Sequence, residues 1–160
     1  MNPRPPAALA LVVASRFGLL LGLTLWTGLT LATLVLAPMV YAKLERAQAD
    51  DVAQALFARV DRLLLGAMAL LVVALGLRTV VDHAAPPGSL LLPLAGMAGS
   101  RLVAAFAVSP ALRALRGRMG DANAPASDAE RAAYGRLHGA WLILLTLEVC
   151  LGLYALFAAS

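Results

Sequence analysis

The chain has 160 residues, of which 61% are hydrophobic and 14% charged, with mean hydropathy +0.83; an ordinary soluble domain is about 45–50% apolar and about 25% charged. A net charge of +4 and a pI near 10.0 would raise nucleic acid as a partner in a soluble protein. Here the arginines flank apolar runs, where anionic lipid headgroups are the ready partner, so nucleic acid is set aside.

The first apolar stretch runs from Ala7 to Ala42 and carries one charge, Arg16. Residues 17–41 are long enough to cross a bilayer with some tilt and form the first predicted span. Arg4 followed by apolar Ala7–Ser15 has the outline of a short signal peptide. The uninterrupted apolar sequence beyond Arg16 fits a long first helix better, with the guanidinium snorkelling to the interface.

A polar stretch containing Lys43, Glu45, Arg46, Asp50 and Asp51 follows, and the acidic pair before Val52 suits a helix N-terminus. Val52, Leu56, Val60 and Leu64 recur every four residues beside Arg59, Asp61 and Arg62, which predicts amphipathic, interfacial first turns leading into a second span over 60–80. The turn-rich Asp82–Gly88 segment separates it from a third span over 89–112 that contains Arg101. Ser127-Asp128-Ala129-Glu130 reads as a capping box opening a fourth helix, whose apolar body over 134–158 contains Glu148. The fold class expected is therefore all-α: a single domain, a bundle of four transmembrane helices, with charged loops at 43–59 and 113–133.

Lys and Arg counts orient this bundle. Nine basic residues flank the two charged loops, and three, Arg4, Arg16 and Arg78, lie on the other side. Both loops are then expected in the cytoplasm and both termini outside, in a cell (inner) membrane. The two halves also echo one another: Pro38 and Pro110 each precede basic residues, and Ala74-Leu75-Gly76-Leu77 resembles Cys150-Leu151-Gly152-Leu153. A duplicated helical hairpin would account for this, as would the shared Leu/Ala/Gly composition.

Two features could carry chemistry. Arg101 lies twelve positions after Ser89 and Glu148 eleven before Ala159, so at about 1.5 Å per residue they share a depth. A charge at mid-membrane carries an apparent cost of about 2.5–3.5 kcal/mol and usually faces the bundle and a partner, so the two are expected to pair. The pair serves either as a register-fixing bridge or as an anchor for a proton, cation or polar ligand. In the first span, Thr24, Thr27, Thr30 and Thr33 recur every third residue around Trp26 and Gly28. They either back-bond to the preceding turn, with Gly18 and Gly22 permitting close packing, or line a polar cavity.

The soft and imidazole ligands, Met39, Met68, Met97, Met119, Cys150, His83 and His138, form no clustered spacing. No metal, haem or other cofactor site is expected from them. Glycine-rich nucleotide loops, nucleophile elbows and His-Glu-x-x-His are absent from the sequence, so no catalytic residue is assigned.

Three short elements, taken in order, resemble the transmembrane protein 205-like family of four-helix membrane proteins. They are Leu25-Trp26-Thr27-Gly28 leading to Leu36-Ala37-Pro38; Arg101 followed by Ser109-Pro110-Ala111-Leu112-Arg113; and Tyr134-Gly135-Arg136-Leu137-His138-Gly139. The resemblance highlights Trp26, Gly28, Pro38, Arg101, Pro110, Arg136 and His138. It implies an architecture like that of copper-resistance D-type proteins and a link to tolerance of metals or toxic compounds. Where the family has a second glycine after Gly28, this chain has Leu29. Three function classes follow: cation or small-molecule handling, a structural or assembly subunit that forms a homo-oligomer or joins a larger membrane complex, and a haem- or metal-handling redox protein.

Overall fold

The computed structural model describes residues 6–44, 46–82, 86–119 and 127–159. Among these it is helical with no strand, and four stretches are long and apolar enough to cross a membrane: Leu9–Val40, Ala55–Val81, Gly88–Arg118 and Asp128–Ala159. Helix is the form such segments must take in lipid, where no water can satisfy exposed backbone N–H and C=O groups. The protein is a multi-pass, all-α membrane bundle.

The first helix, α1 (Pro6–Lys43), is continuous through Arg16 and contains Pro38. The second, α2 (Arg46–Asp82), begins earlier than the acidic pair suggests, so Asp50 and Asp51 fall within its first two turns. No glycine or proline lies between Arg46 and Val52 to stop helical propagation, and Ala and Gln are good helix formers. Much of the charged segment expected as the loop 43–59 is thus helical. The central part of the Asp82–Gly88 turn lies outside the described residues, as do Arg4 and the Asp121–Pro125 loop.

The third crossing is built from three pieces: α3 (Gly88–Val103), a π-helical turn over Ala104–Val108, and α4 (Ser109–Met119). Pro110 accounts for the wide turn. It has no N–H to donate, and its ring would press on the carbonyl four residues back; widening the ladder, with Ser109 N–H bonded to the Ala104 carbonyl, relieves both problems. The last helix, α5 (Asp128–Ala159), opens with a reciprocal cap. Ser127 N–H donates to Glu130 Oε2 at 3.0 Å and Glu130 N–H donates to Ser127 Oγ at 3.3 Å.

Two hairpins, α1–α2 and α3/α4–α5, dock through α1 against α5, whereas α2 and α3 have no close backbone approach. A cleft is left between them. The polarity is that of a protein dissolved in lipid: Phe17, Val72, Leu92, Phe106 and Phe157 point outward, while Ser15, Thr27, Thr30, Thr33, Ser100 and Glu148 are buried. With lipid as apolar as leucine, helices associate through close packing at small residues rather than through the hydrophobic effect. Gly18 and Gly22 let α1 approach Ala74 and Leu71 of α2, and Gly152 lets α5 sit directly against Thr27. The Gly76 and Gly152 of the internal echo differ here, because Gly76 has open space where a side chain would be.

Candidate functional site

Glu148 is the most deeply enclosed charged side chain among the described residues, with 0% exposure. It faces α1. Trp26 Nε1–H donates to its Oε2 at 3.2 Å, and the Thr30 hydroxyl lies 3.4 Å from the same oxygen and 3.0 Å from the Trp26 carbonyl. A hydroxyl has one proton, so Thr30 serves one of these acceptors at a time. Glu148 Oε1 and the buried Thr27 Oγ1 have no hydrogen-bond partner among the described residues. Both atoms belong to the same α1–α5 contact, since Gly152, one turn after Glu148, touches Thr27.

Arg101 makes its short ion pair with Asp61 of α2, across the cleft, in place of the expected direct bond to Glu148. It acts on Glu148 only through space. The difference follows from α2. With the helix starting at Arg46 and packing antiparallel to α1, Asp61 reaches the level of Thr33 and Arg101. A guanidinium prefers the direct, charge-assisted contact. The four-residue spacing puts Asp61 in an amphipathic, interfacial turn and names no partner for it; the available signal is that it stands within the predicted second span over 60–80.

The cleft holds a partly open cavity of about 80 Å³, lined by Phe57, Asp61, Arg101, Ser109, Thr33 and Trp141 among others. That is room for several waters, and its polar lining suits them. On α5 the seven residues from Trp141 to Glu148 correspond to about 10 Å along the axis, so Glu148 lies deeper than the cavity. Toward the charged end the same face of α5 continues as an aromatic ladder. Trp141 meets Phe57 edge-on at 5.6 Å, His138 stacks between Trp141 and Tyr134, and Tyr134 accepts a 2.7 Å hydrogen bond from Arg116.

The remaining sequence-singled residues separate clearly. Trp26, Thr27 and Thr30 join the polar centre, Thr33 lines the cavity, and Thr24 is exposed on the opposite face of α1. Gly28 is exposed with nothing near its α-carbon, so it makes no close helix contact. Pro38, Pro110 and Arg136 are exposed, and His138 serves the aromatic ladder. Among the described residues no group of three or more His, Cys, Asp or Glu is placed to hold a metal ion.

Comparison with curated proteins yields no match, and neither does comparison with solved structures. A family model, described as a domain of unknown function, DUF4149, matches residues 17–121, which takes in Trp26, Thr30, Asp61 and Arg101 but not Glu148. The match covers well over half of the chain and carries the first three membrane crossings, and on it this four-helix membrane protein belongs to the DUF4149 family.

Proposed function

We propose that the protein handles a small cation or small polar molecule at a polar centre inside the membrane. One observation carries this reading: a fully buried glutamate, bonded by Trp26 and backed by a water-sized cleft in which Asp61 and Arg101 meet. Ionisable groups buried in membrane helices are expensive and mark ion or substrate pathways. All four crossings contribute, with Trp26 and Thr30 from α1, Asp61 from α2, Arg101 from α3 and Glu148 from α5.

The likeness to the transmembrane protein 205-like family belongs to this reading, as does the orientation in a cell (inner) membrane with the basic loops cytoplasmic and both termini outside. The cleft then opens toward the cytoplasmic half. Tolerance of metals, which that likeness implies, gains no support from the donor set described above.

The test is flux in vesicles reconstituted with the full chain, using potassium and small neutral polar solutes as probes. A flux above that of empty vesicles, reduced by Glu148→Gln and by Arg101→Leu, is expected. Flux that never exceeds the empty-vesicle level would reject the reading. A second reading, an assembly subunit in a homo-oligomer or larger complex, is favoured by one feature: Gly135 and Gly139, spaced for helix–helix contact on α5, face open space.

A further inference from the structure

The chemistry around Glu148 narrows the cation. A sodium or divalent ion needs a shell of several oxygen ligands. Glu148 Oε2 is instead met by a Trp26 N–H, which can only donate, and by a Thr30 hydroxyl that can turn between Oε2 and the Trp26 carbonyl. One carboxylate oxygen, Oε1, is left without a partner in a fully buried side chain. A proton is the cation that one oxygen suffices to hold.

The route is equally specific. The charged groups acting on Glu148 are Arg101 from α3 and Asp61 from α2, whereas α1 presents only neutral side chains, Trp26, Thr27 and Thr30. Asp61 is 63% exposed, lines the cleft and is bonded to Arg101, which is 21% exposed. The cleft therefore has a largely exposed carboxylate on its wall, room for water beside it, and a cation bonded to that carboxylate.

We propose that Glu148 is a protonation site that exchanges with one side of the membrane through the α2–α3 cleft, with Asp61 as the entry carboxylate and Arg101 as the gate. This rests on the cation-handling reading and names its cation. On uptake, a proton from cleft water is taken by Asp61 and passed through water to Glu148 Oε1. The new O–H bond forms as the donor's breaks, and Arg101 keeps its charge throughout. As Glu148 becomes neutral, the Thr30 hydroxyl turns from Oε2 to the Trp26 carbonyl, and the ladder of changes reverses on release.

Trp26 is a built-in reporter, since its indole N–H is bonded to the titrating group and the chain has only two tryptophans. The full chain is reconstituted in phosphatidylcholine vesicles and tryptophan emission is followed after an external pH jump, with Trp26→Phe as the control that isolates the Trp26 signal from that of Trp141. One transition with a fast phase is expected. Glu148→Gln abolishes it, and Asp61→Asn keeps the transition but loses the fast phase. A transition that survives Glu148→Gln, or an unchanged rate in Asp61→Asn, overturns the proposal. Should the glutamine variant fail to fold, Glu148→Asp withdraws the carboxyl from Trp26 and must displace the transition; an undisplaced one also overturns it. Loss of the pH response with potassium or solute flux still dependent on Glu148 sinks the proton alone, and loss of both sinks the handling reading with it.

Discussion

The hydrogen bond between Trp26 and Glu148 joins α1 to α5 at the middle of the bundle, and its worth can be measured by a double-mutant cycle. Trp26→Phe keeps an aromatic ring at this position and removes the donor to Oε2. Glu148→Leu removes the acceptor and leaves the indole N–H buried without a partner. A bond between membrane helices is worth about 0.6 kcal/mol on average and up to about 1.7 kcal/mol, and an orphaned buried group costs about 1–3 kcal/mol. Each single variant should therefore lose about 1–3 kcal/mol. The other groups around Glu148 are not orphaned by the change, because Thr30 retains the Trp26 carbonyl and Arg101 retains Asp61. The double variant Trp26→Phe/Glu148→Leu leaves neither group unpaired and should lose less than the sum, with a coupling of about 0.6–1.7 kcal/mol. Reversible unfolding in mixed micelles, followed by helical circular dichroism, reads all four corners. Additivity to within about 0.3 kcal/mol, the scatter of independent sites, would refute the bond and with it the polar centre.

Exchanging the ends of the cleft bridge, Asp61→Arg with Arg101→Asp, should recover most of the stability lost in either single variant, by up to about 1 kcal/mol for so exposed a pair, measured by the same unfolding. Gly152→Ala should destabilise the bundle, since its new methyl would fall on the stiff, β-branched Thr27, whereas Gly28→Ala, with open space around it, should be neutral or slightly stabilising. Ser127→Ala should cost about 1 kcal/mol by removing the α5 cap and should speed amide exchange in the first turn of that helix.

Sequence alone determined that this chain lives in a bilayer as four helices, because uncharged runs of bilayer length leave the backbone no other way to satisfy its hydrogen bonds. It also determined the start of α5, since a capping box is a local device whose partners lie three residues apart. The position of Arg101 and of Glu148 along their own helices was legible for the same reason: rise per residue is a property of one helix at a time.

Tertiary structure decided who meets whom. Asp61 could claim Arg101 only because α2 starts at Arg46 and is laid antiparallel along α1, and Trp26 could find Glu148 only because Gly152 admits α1 against α5. The threonine row shows the same division. A three-residue spacing puts Thr24, Thr27, Thr30 and Thr33 on a spiral, and only the position of α5 makes Thr24 lipid-facing while it buries the other three. In lipid, where apolar faces give helices little reason to prefer one neighbour over another, partner choice rests on a few small residues and on polar side chains that lie 40 positions apart in sequence for Asp61 and Arg101 and 122 for Trp26 and Glu148.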